Sequence, residues 1–470
     1  MLPARPLLAA LFASAAFAAP AFAAPAPVVD CQAPAGEAEP GSPEWTQRDT
    51  ANMLCATERL DDMFANPAFL AAFNVETADK YPSQQVEMLT QDTTDPHLSL
   101  GQLVPGGSTT DPFRTARRWE ASGRGQIEKI SFRATNGTKL NGHIFLPPES
   151  VTGRLPAVVI TTGSIQGYQE MYFWAAQGLA EAGYQVMTYD VQGQGNSGTF
   201  PAMEHCTGPD NCSGVPFQQA YNFYQGTIDA LNFFFSDANP GRDRLDPGRV
   251  GLAGHSLGAG AVSTVAQCDR RVKAVVGWDN LGAAGDCTMG GTLTGYPTGT
   301  PEQPRNDVPG LGLSAEYFFN PTPTSAAPDP HAKWGGFTAL REAGTDTMTV
   351  TLRSSTHLEW TYVPYILPAS RLGERVSMHY TLAWFDRYLK DDATALDRLT
   401  ATTLDASADA SAIGAGTFSP EAAAADPANP EAGNVPYALD GLPVADRVSL
   451  YYDSAYAIGD EVCESLRAGC

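Results

Sequence analysis

The chain is short of positive charge. It holds 29 Lys and Arg against 52 Asp and Glu, a formal charge of −23. That balance argues against nucleic acid and anionic membrane surfaces as partners, and the acidity reads as a means of staying soluble. Beyond the first two dozen residues no run reaches 18 apolar residues, so no membrane anchor is expected. Neither Cys-x-x-Cys nor His-Glu-x-x-His spacing occurs, so no metal site is expected. No internal repeats are present.

What is present describes a globular protein. Of 470 residues, 43% are hydrophobic and 17% charged, enough for one large domain with extensions or for two domains. The first residues read as an export signal over 1–23. Arg5 supplies the positive end, 7–19 the apolar stretch, and Ala21-Phe22-Ala23 the small-x-small cleavage site. A secreted or periplasmic protein, expected to act as a monomer, would then begin near Ala24. All eight cysteines lie beyond that point, and an even count in an exported chain implies disulfides. Sequence order suggests Cys31 with Cys55, Cys206 with Cys212, Cys268 with Cys287 and Cys463 with Cys470.

Hydrophobic periodicity divides the rest. Residues 24–120 form an N-terminal extension, helical over 43–74. The main domain is expected over 121–392. It opens with two strands, 127–134 and 139–146, joined around Asn136-Gly137, a hairpin signal. Near-continuous apolar runs over 156–161, 185–189 and 272–278 have the pattern of strands buried on both faces. Further strands are expected over 310–315 and 348–352. Helices are expected over 169–183, 217–236, 330–344 and 376–389. This alternation predicts an α/β fold: a mostly parallel central sheet with helices on both faces and an antiparallel edge. Residues 393–470 form a C-terminal extension, loose over 391–436, with a possible strand over 448–452.

The stretch on which the functional reading turns is Gly254-His255-Ser256-Leu257-Gly258. An apolar strand precedes it and a small-residue helix follows, the context required of a Gly-x-Ser-x-Gly nucleophile elbow. The glycines permit a sharp strand-to-helix turn that strains the backbone at the serine. The turn lifts Ser256 Oγ above the sheet and aims the first N–H groups of the helix at developing negative charge.

With the run Asp190-Val-Gln-Gly-Gln-Gly-Asn-Ser-Gly198 and a late histidine, this order over about 127–390 resembles the α/β-hydrolase superfamily. Within it the chain looks most like secreted esterases of the dienelactone-hydrolase and bacterial cutinase neighbourhood. The segment 274–279 and the terminal cysteine pair carry that finer likeness. The resemblance implies that Ser256 attacks a carboxylic ester and that His357, downstream in Arg353-Ser-Ser-Thr-His-Leu-Glu-Trp360, takes its proton. The triad acid is left between two candidates. Glu316 directly follows the 310–315 strand and is preferred, while Asp279 follows the preceding strand. The cutinase pattern would place an aspartate a little later, where Phe318 and Phe319 stand, and Asp286, Asp307 and Asp329 are minor alternatives. The oxyanion hole is assigned to the N–H groups of Leu257 and Ser164, with Ile165 next. Trp278, Ile165 and His255 are the expected substrate-lining residues, with a small-molecule or polymeric ester as substrate, and the resemblance implies no cofactor. Two rivals stay open: a secreted serine peptidase on the same fold, and a non-catalytic binding protein on a hydrolase scaffold.

Overall fold

In a computed structural model the protein is described over residues 38–65, 67–90, 111–164, 167–198, 219–322, 326–361, 370–404, 439 and 441–470, with short pieces at 416–418, 424–425 and 434–436. The expected leader, Ile165, Cys31, Cys206 and Cys212 lie outside these residues.

Ten strands form one mixed sheet in the order β1-β2-β4-β3-β5-β6-β7-β8-β11-β12. In chain order the first eight are β1 (Gln126–Arg133), β2 (Lys139–Leu146), β3 (Leu155–Thr161), β4 (Gln185–Tyr189), β5 (Leu245–His255), β6 (Val272–Trp278), β7 (Gly310–Ala315) and β8 (Thr347–Leu352). Gly416–Phe418 (β9) and Asn434–Pro436 (β10) pair apart from the main sheet. Ala455–Ile458 (β11) and Glu461–Cys463 (β12) close the series. β4, β3, β5, β6, β7 and β8 are parallel neighbours, while β1 and β2 form the antiparallel hairpin at one edge.

Alternation along these strands feeds two cores. Val158 and Ile160 of β3 point into one apolar cluster with Leu179, Leu382 and Phe385. Ala157 and Val159 point into the other, with Ile228, Leu231, Val262 and Val265. Side chains on a strand alternate faces, so a strand apolar at every position needs helices on both sides. The helices Phe173–Glu181 and Arg371–Leu389 cover the first face, and Ala220–Phe234 and Leu257–Cys268 the second.

The ends of the chain depart from expectation. The helical stretch at the N-terminus is two helices, Pro43–Ala65 and Pro67–Thr90, each opening on a proline. Proline suits the first helical position because its missing N–H has no partner there. Ser42 completes the first start, its Oγ accepting from Trp45 N at 3.0 Å. At the C-terminus the strand is not 448–452. Val448 makes one bridge, to Leu352. The Ser449 hydroxyl then accepts from Tyr451 N and Tyr452 N, and turning the backbone onto a side chain takes it out of the ladder. The added strands are β11, antiparallel to β8, and β12 beyond it. Disulfides join Cys268 to Cys287 and Cys463 to Cys470. Among the described residues no helix is long and apolar enough to cross a membrane.

Candidate active site

Three side chains meet at the C-terminal ends of the parallel strands. β5 ends at His255, and Ser256 follows with φ 57° and ψ −123°, ahead of the helix Leu257–Cys268. The flanking glycines are required by close approach. A Cβ on Gly254 would stand 2.5 Å from the Gly258 carbonyl oxygen. One on Gly258 would stand 2.3 and 2.4 Å from the carbonyl oxygens of Thr161 and Thr162, at the end of β3. Ser256 N donates to the Trp278 carbonyl at 3.0 Å, tying the elbow to β6.

Asp279 directly follows β6 and has φ 44°. Its Oδ1 accepts from Ala315 N at 3.0 Å. Past β8, Ser354 also takes a positive φ, 53°, and His357 opens a short 3-10 turn, His357–Trp360. Left-handed backbone at non-glycine residues is costly and collects at functional sites. Here three such residues lie on the three loops that converge.

The contacts form a line. Ser256 Oγ donates to His357 Nε2 at 2.9 Å, and His357 Nδ1 donates to Asp279 Oδ2 at 2.5 Å. Holding the Nδ1 proton on the carboxylate leaves Nε2 as an acceptor, the tautomer needed to draw the proton from a serine. Burial by itself would raise the Asp279 carboxyl. The hydrogen bond and charge of His357, with Lys333 nearby, instead hold it below the usual carboxylate range.

Glu316, the preferred acid in the sequence reading, takes no part in this line. Its Oε2 accepts from Asn52 Nδ2 at 2.5 Å and Ser354 N at 2.7 Å. Its Oε1 accepts from Ser449 Oγ at 2.6 Å and Leu450 N at 2.9 Å. Four donors hold the carboxylate away from the imidazole, and Asp279 occupies the place that Glu316 was expected to fill.

His255 faces inward rather than toward substrate. It is buried, its Nε2 donating to the His357 carbonyl at 2.8 Å. Its Nδ1 must then accept, and the Tyr172 hydroxyl donates to it at 3.0 Å while accepting from Gly163 N at 2.9 Å. Burial, then the neighbouring His357, lowers the His255 pKa to about 3, so the ring is neutral. One chain of hydrogen bonds thus joins the loop after β3, the elbow and the histidine loop. Trp278, expected to line a pocket, is a fully buried core residue packed on Trp174 and Tyr172.

Of the expected oxyanion donors, Leu257 is the first residue of the elbow helix, where N–H groups have no intrahelical carbonyl to reach. Ser164 follows β3 at the same end of the sheet. Gly163, beside it, has committed its N–H to Tyr172. The Asp190 run braces this loop. Gln194 Oε1 accepts from Gly167 N, and the buried Asp190 carboxylate accepts from Gln169 N and Asn196 N. Burial raises its pKa to about 7 despite those bonds.

Two residues went unassigned in the sequence reading. Phe318 and Phe319 stand beside His357, ring centroids 5.2 and 5.5 Å away. The signal was an apolar pair in a polar loop just past a strand end.

No family model matches the chain. It is 31% identical over 163 residues to Hydrolase LUC6 of Fusarium sp, across 33% of this chain and 34% of that protein. To Thiohydrolase apmlB of Arthrinium phaeospermum it is 30% identical over 152 residues, across 32% and 42%. To Alpha/beta hydrolase xenA of Xenoacremonium sinensis it is 26% identical over 159 residues, across 33% and 34%. The chain thus covers between a third and just over two-fifths of the length of these relatives. All are named hydrolases, so the likeness is to hydrolases in general. A solved isopeptidase, AtxE2 with Astexin3-dC4 bound, aligns at a TM-score of 0.38 and 20% identity over 57% of this chain and 41% of that one, too slight to carry weight.

Proposed function

We propose that the protein is a serine hydrolase of the α/β-hydrolase fold that cleaves carboxylic esters through an acyl-enzyme. The observation that carries the reading is the unbroken line from Ser256 Oγ through both nitrogens of His357 to Asp279. Ser256 attacks the carbonyl carbon as its proton passes to Nε2. Asp279 fixes the ring and stabilises the imidazolium. The N–H groups of Leu257 and Ser164 receive the oxyanion, each worth about 2.7–4 kcal/mol of barrier lowering in such sites. His357 then protonates the leaving oxygen. Water, deprotonated in turn by His357, releases the acid. The likeness to named hydrolases supports bond cleavage by water in general. The two disulfides suit an oxidising compartment, and we place the protein outside the cytoplasm.

The test is covalent. A fluorophosphonate probe should label Ser256 in the wild type and leave Ser256→Ala and His357→Ala unlabelled. Both variants should lose about ten-thousand-fold or more in turnover of p-nitrophenyl acetate. Retained turnover in either removes the mechanism. A chromogenic peptide cleaved faster than the ester would reassign the enzyme as a peptidase.

A further inference from the structure

Seven large hydrophobic side chains are exposed among the described residues. Five are aliphatic, four of them on the two N-terminal helices and one on β12; the other two are Phe318, 66% exposed, and Phe319, 44% exposed. The pair is adjacent, with ring centroids 4.2 Å apart, and both rings stand on His357. Their loop is held in place. The Phe318 carbonyl accepts from His357 N at 2.8 Å, and Tyr317 N donates to the Ser355 carbonyl at 2.9 Å. Two aromatic rings facing water next to a buried imidazole form an apolar surface whose position is fixed by the same loop that fixes the base.

Resting on the ester-hydrolase reading, we infer that Phe318 and Phe319 bind the alcohol part of the ester, and that the preferred substrates carry a bulky apolar or aromatic alcohol. The argument follows the proton. In acylation the Ser256 Oγ–carbonyl bond forms, and the proton of Oγ moves to His357 Nε2. The bond from the carbonyl carbon to the alcohol oxygen then breaks, and that oxygen takes the proton from Nε2 and leaves as the alcohol. The alcohol oxygen must therefore come within hydrogen-bond reach of Nε2. Whatever that oxygen carries lies beside the imidazole, against the two rings. A flat aromatic group meets them edge or face, the arrangements aromatic pairs favour. An ethyl group is too small to cover them. The acyl part sits on the other side of the reacting carbon and remains on Ser256 after the alcohol has gone.

Benzyl and ethyl acetate test this directly. Their alcohols are similar in acidity, and both leave the same acetyl-enzyme, so the ratio of their kcat/KM values reports recognition of the alcohol. The wild type should favour benzyl acetate, and the Phe318→Ala/Phe319→Ala double variant should lower that ratio about tenfold. Phe318→Tyr/Phe319→Tyr should keep it. Removing exposed side chains should leave the melting temperature near wild type, so a lowered ratio is not a folding defect. An unchanged ratio overturns the assignment, as does an equal fall for both esters, which would make the pair a support for His357 only. A shift in acetate-against-butyrate preference at constant benzyl-to-ethyl ratio places the rings on the acyl side and also overturns it. Failure of the ester reading would look different, as turnover surviving in Ser256→Ala.

Discussion

His255 stands one residue from the nucleophile, yet its chemistry is directed inward. Both ring nitrogens are committed, to the His357 carbonyl and to the Tyr172 hydroxyl. Burial first, and then the neighbouring His357, make a charge on this ring costly and lower its pKa to about 3. This has a consequence for stability. In the unfolded chain the imidazole titrates near 6.5. Between 6.5 and about 3 the unfolded state binds a proton that the folded state does not, so stability falls as pH falls through that window. The slope from this group is at most about 1.4 kcal/mol per pH unit. The lowered carboxyl of Asp279 acts in the same direction but would do so in a His255 variant as well. Urea unfolding from pH 4 to 7 should therefore show a shallower acid limb in His255→Gln than in the wild type, with the gap widening below pH 6. Parallel limbs would mean that the ring is charged in the folded state and that the relay through Tyr172 is wired otherwise.

At the scale of elements, the join between β5 and its helix is the most constrained. Gly258 and Gly260 are two residues apart on one helix, and their surroundings differ sharply. A Cβ at 258 meets two backbone carbonyl oxygens of the neighbouring β3 end within 2.4 Å, while one at 260 meets the Tyr224 hydroxyl at 3.7 Å, an ordinary contact. Backbone gives way less readily than a side chain. Gly258→Ala should thus cost about 3 kcal/mol or more and displace the nucleophile, whereas Gly260→Ala should be neutral or stabilise by about 0.5–1 kcal/mol through helix propensity. Thermal unfolding of the two variants checks this; equal melting temperatures would show that β3 and the elbow are not in contact. The same elements show what was legible in the sequence. Apolar runs over β3, β4 and β6 announce strands because nearly all of their positions are buried and their apolar side chains feed one or other of the two cores. The elbow and His357 followed from motif and order. The choice between Asp279 and Glu316 did not. β6 and β7 are parallel neighbours, with Trp278 opposite Leu313, so both carboxylates emerge at the same end of the sheet. Which one turns toward the imidazole depends on backbone turns and on donors from segments remote in sequence, and neither leaves a periodic trace. The expectation that Trp278 lines a pocket fails for a related reason. Composition counts aromatics without saying which face water, and Trp278 packs in the core while Phe318 and Phe319 do not.

Over the whole molecule, Glu316 links parts that the chain keeps far apart. Asn52 reaches it from the first N-terminal helix, 264 positions away, and Ser449 from the C-terminal segment, 133 positions away. Around this carboxylate, Trp45 packs on Tyr451 with ring centroids 5.4 Å apart, and the Tyr451 hydroxyl donates to Asp49. The first N-terminal helix and the segment around Ser449 are thus fastened to each other and to the loop between β7 and the phenylalanine pair. Ser354, another donor to Glu316, lies three residues before His357. Under the proposed mechanism the two acids divide the labour: Asp279 serves the imidazole, and Glu316 holds together the frame around it. Exchanging a carboxylate for an amide separates these roles. In Glu316→Gln the NH2 group must face one of two donor pairs, either Asn52 Nδ2 with Ser354 N or Ser449 Oγ with Leu450 N. Two donors lose their acceptor there, at about 1–3 kcal/mol each. That variant should melt well below the wild type yet, at temperatures where it remains folded, turn over esters within about tenfold of it. Asp279→Asn should do the reverse. It should retain most of the stability and lose about ten-thousand-fold in kcat, because an amide at that position favours the wrong imidazole tautomer. If Glu316→Gln, still folded, lost as much rate as Asp279→Asn, the two carboxylates would have to act as one unit, and the separation between frame and site drawn from their hydrogen bonds would fail.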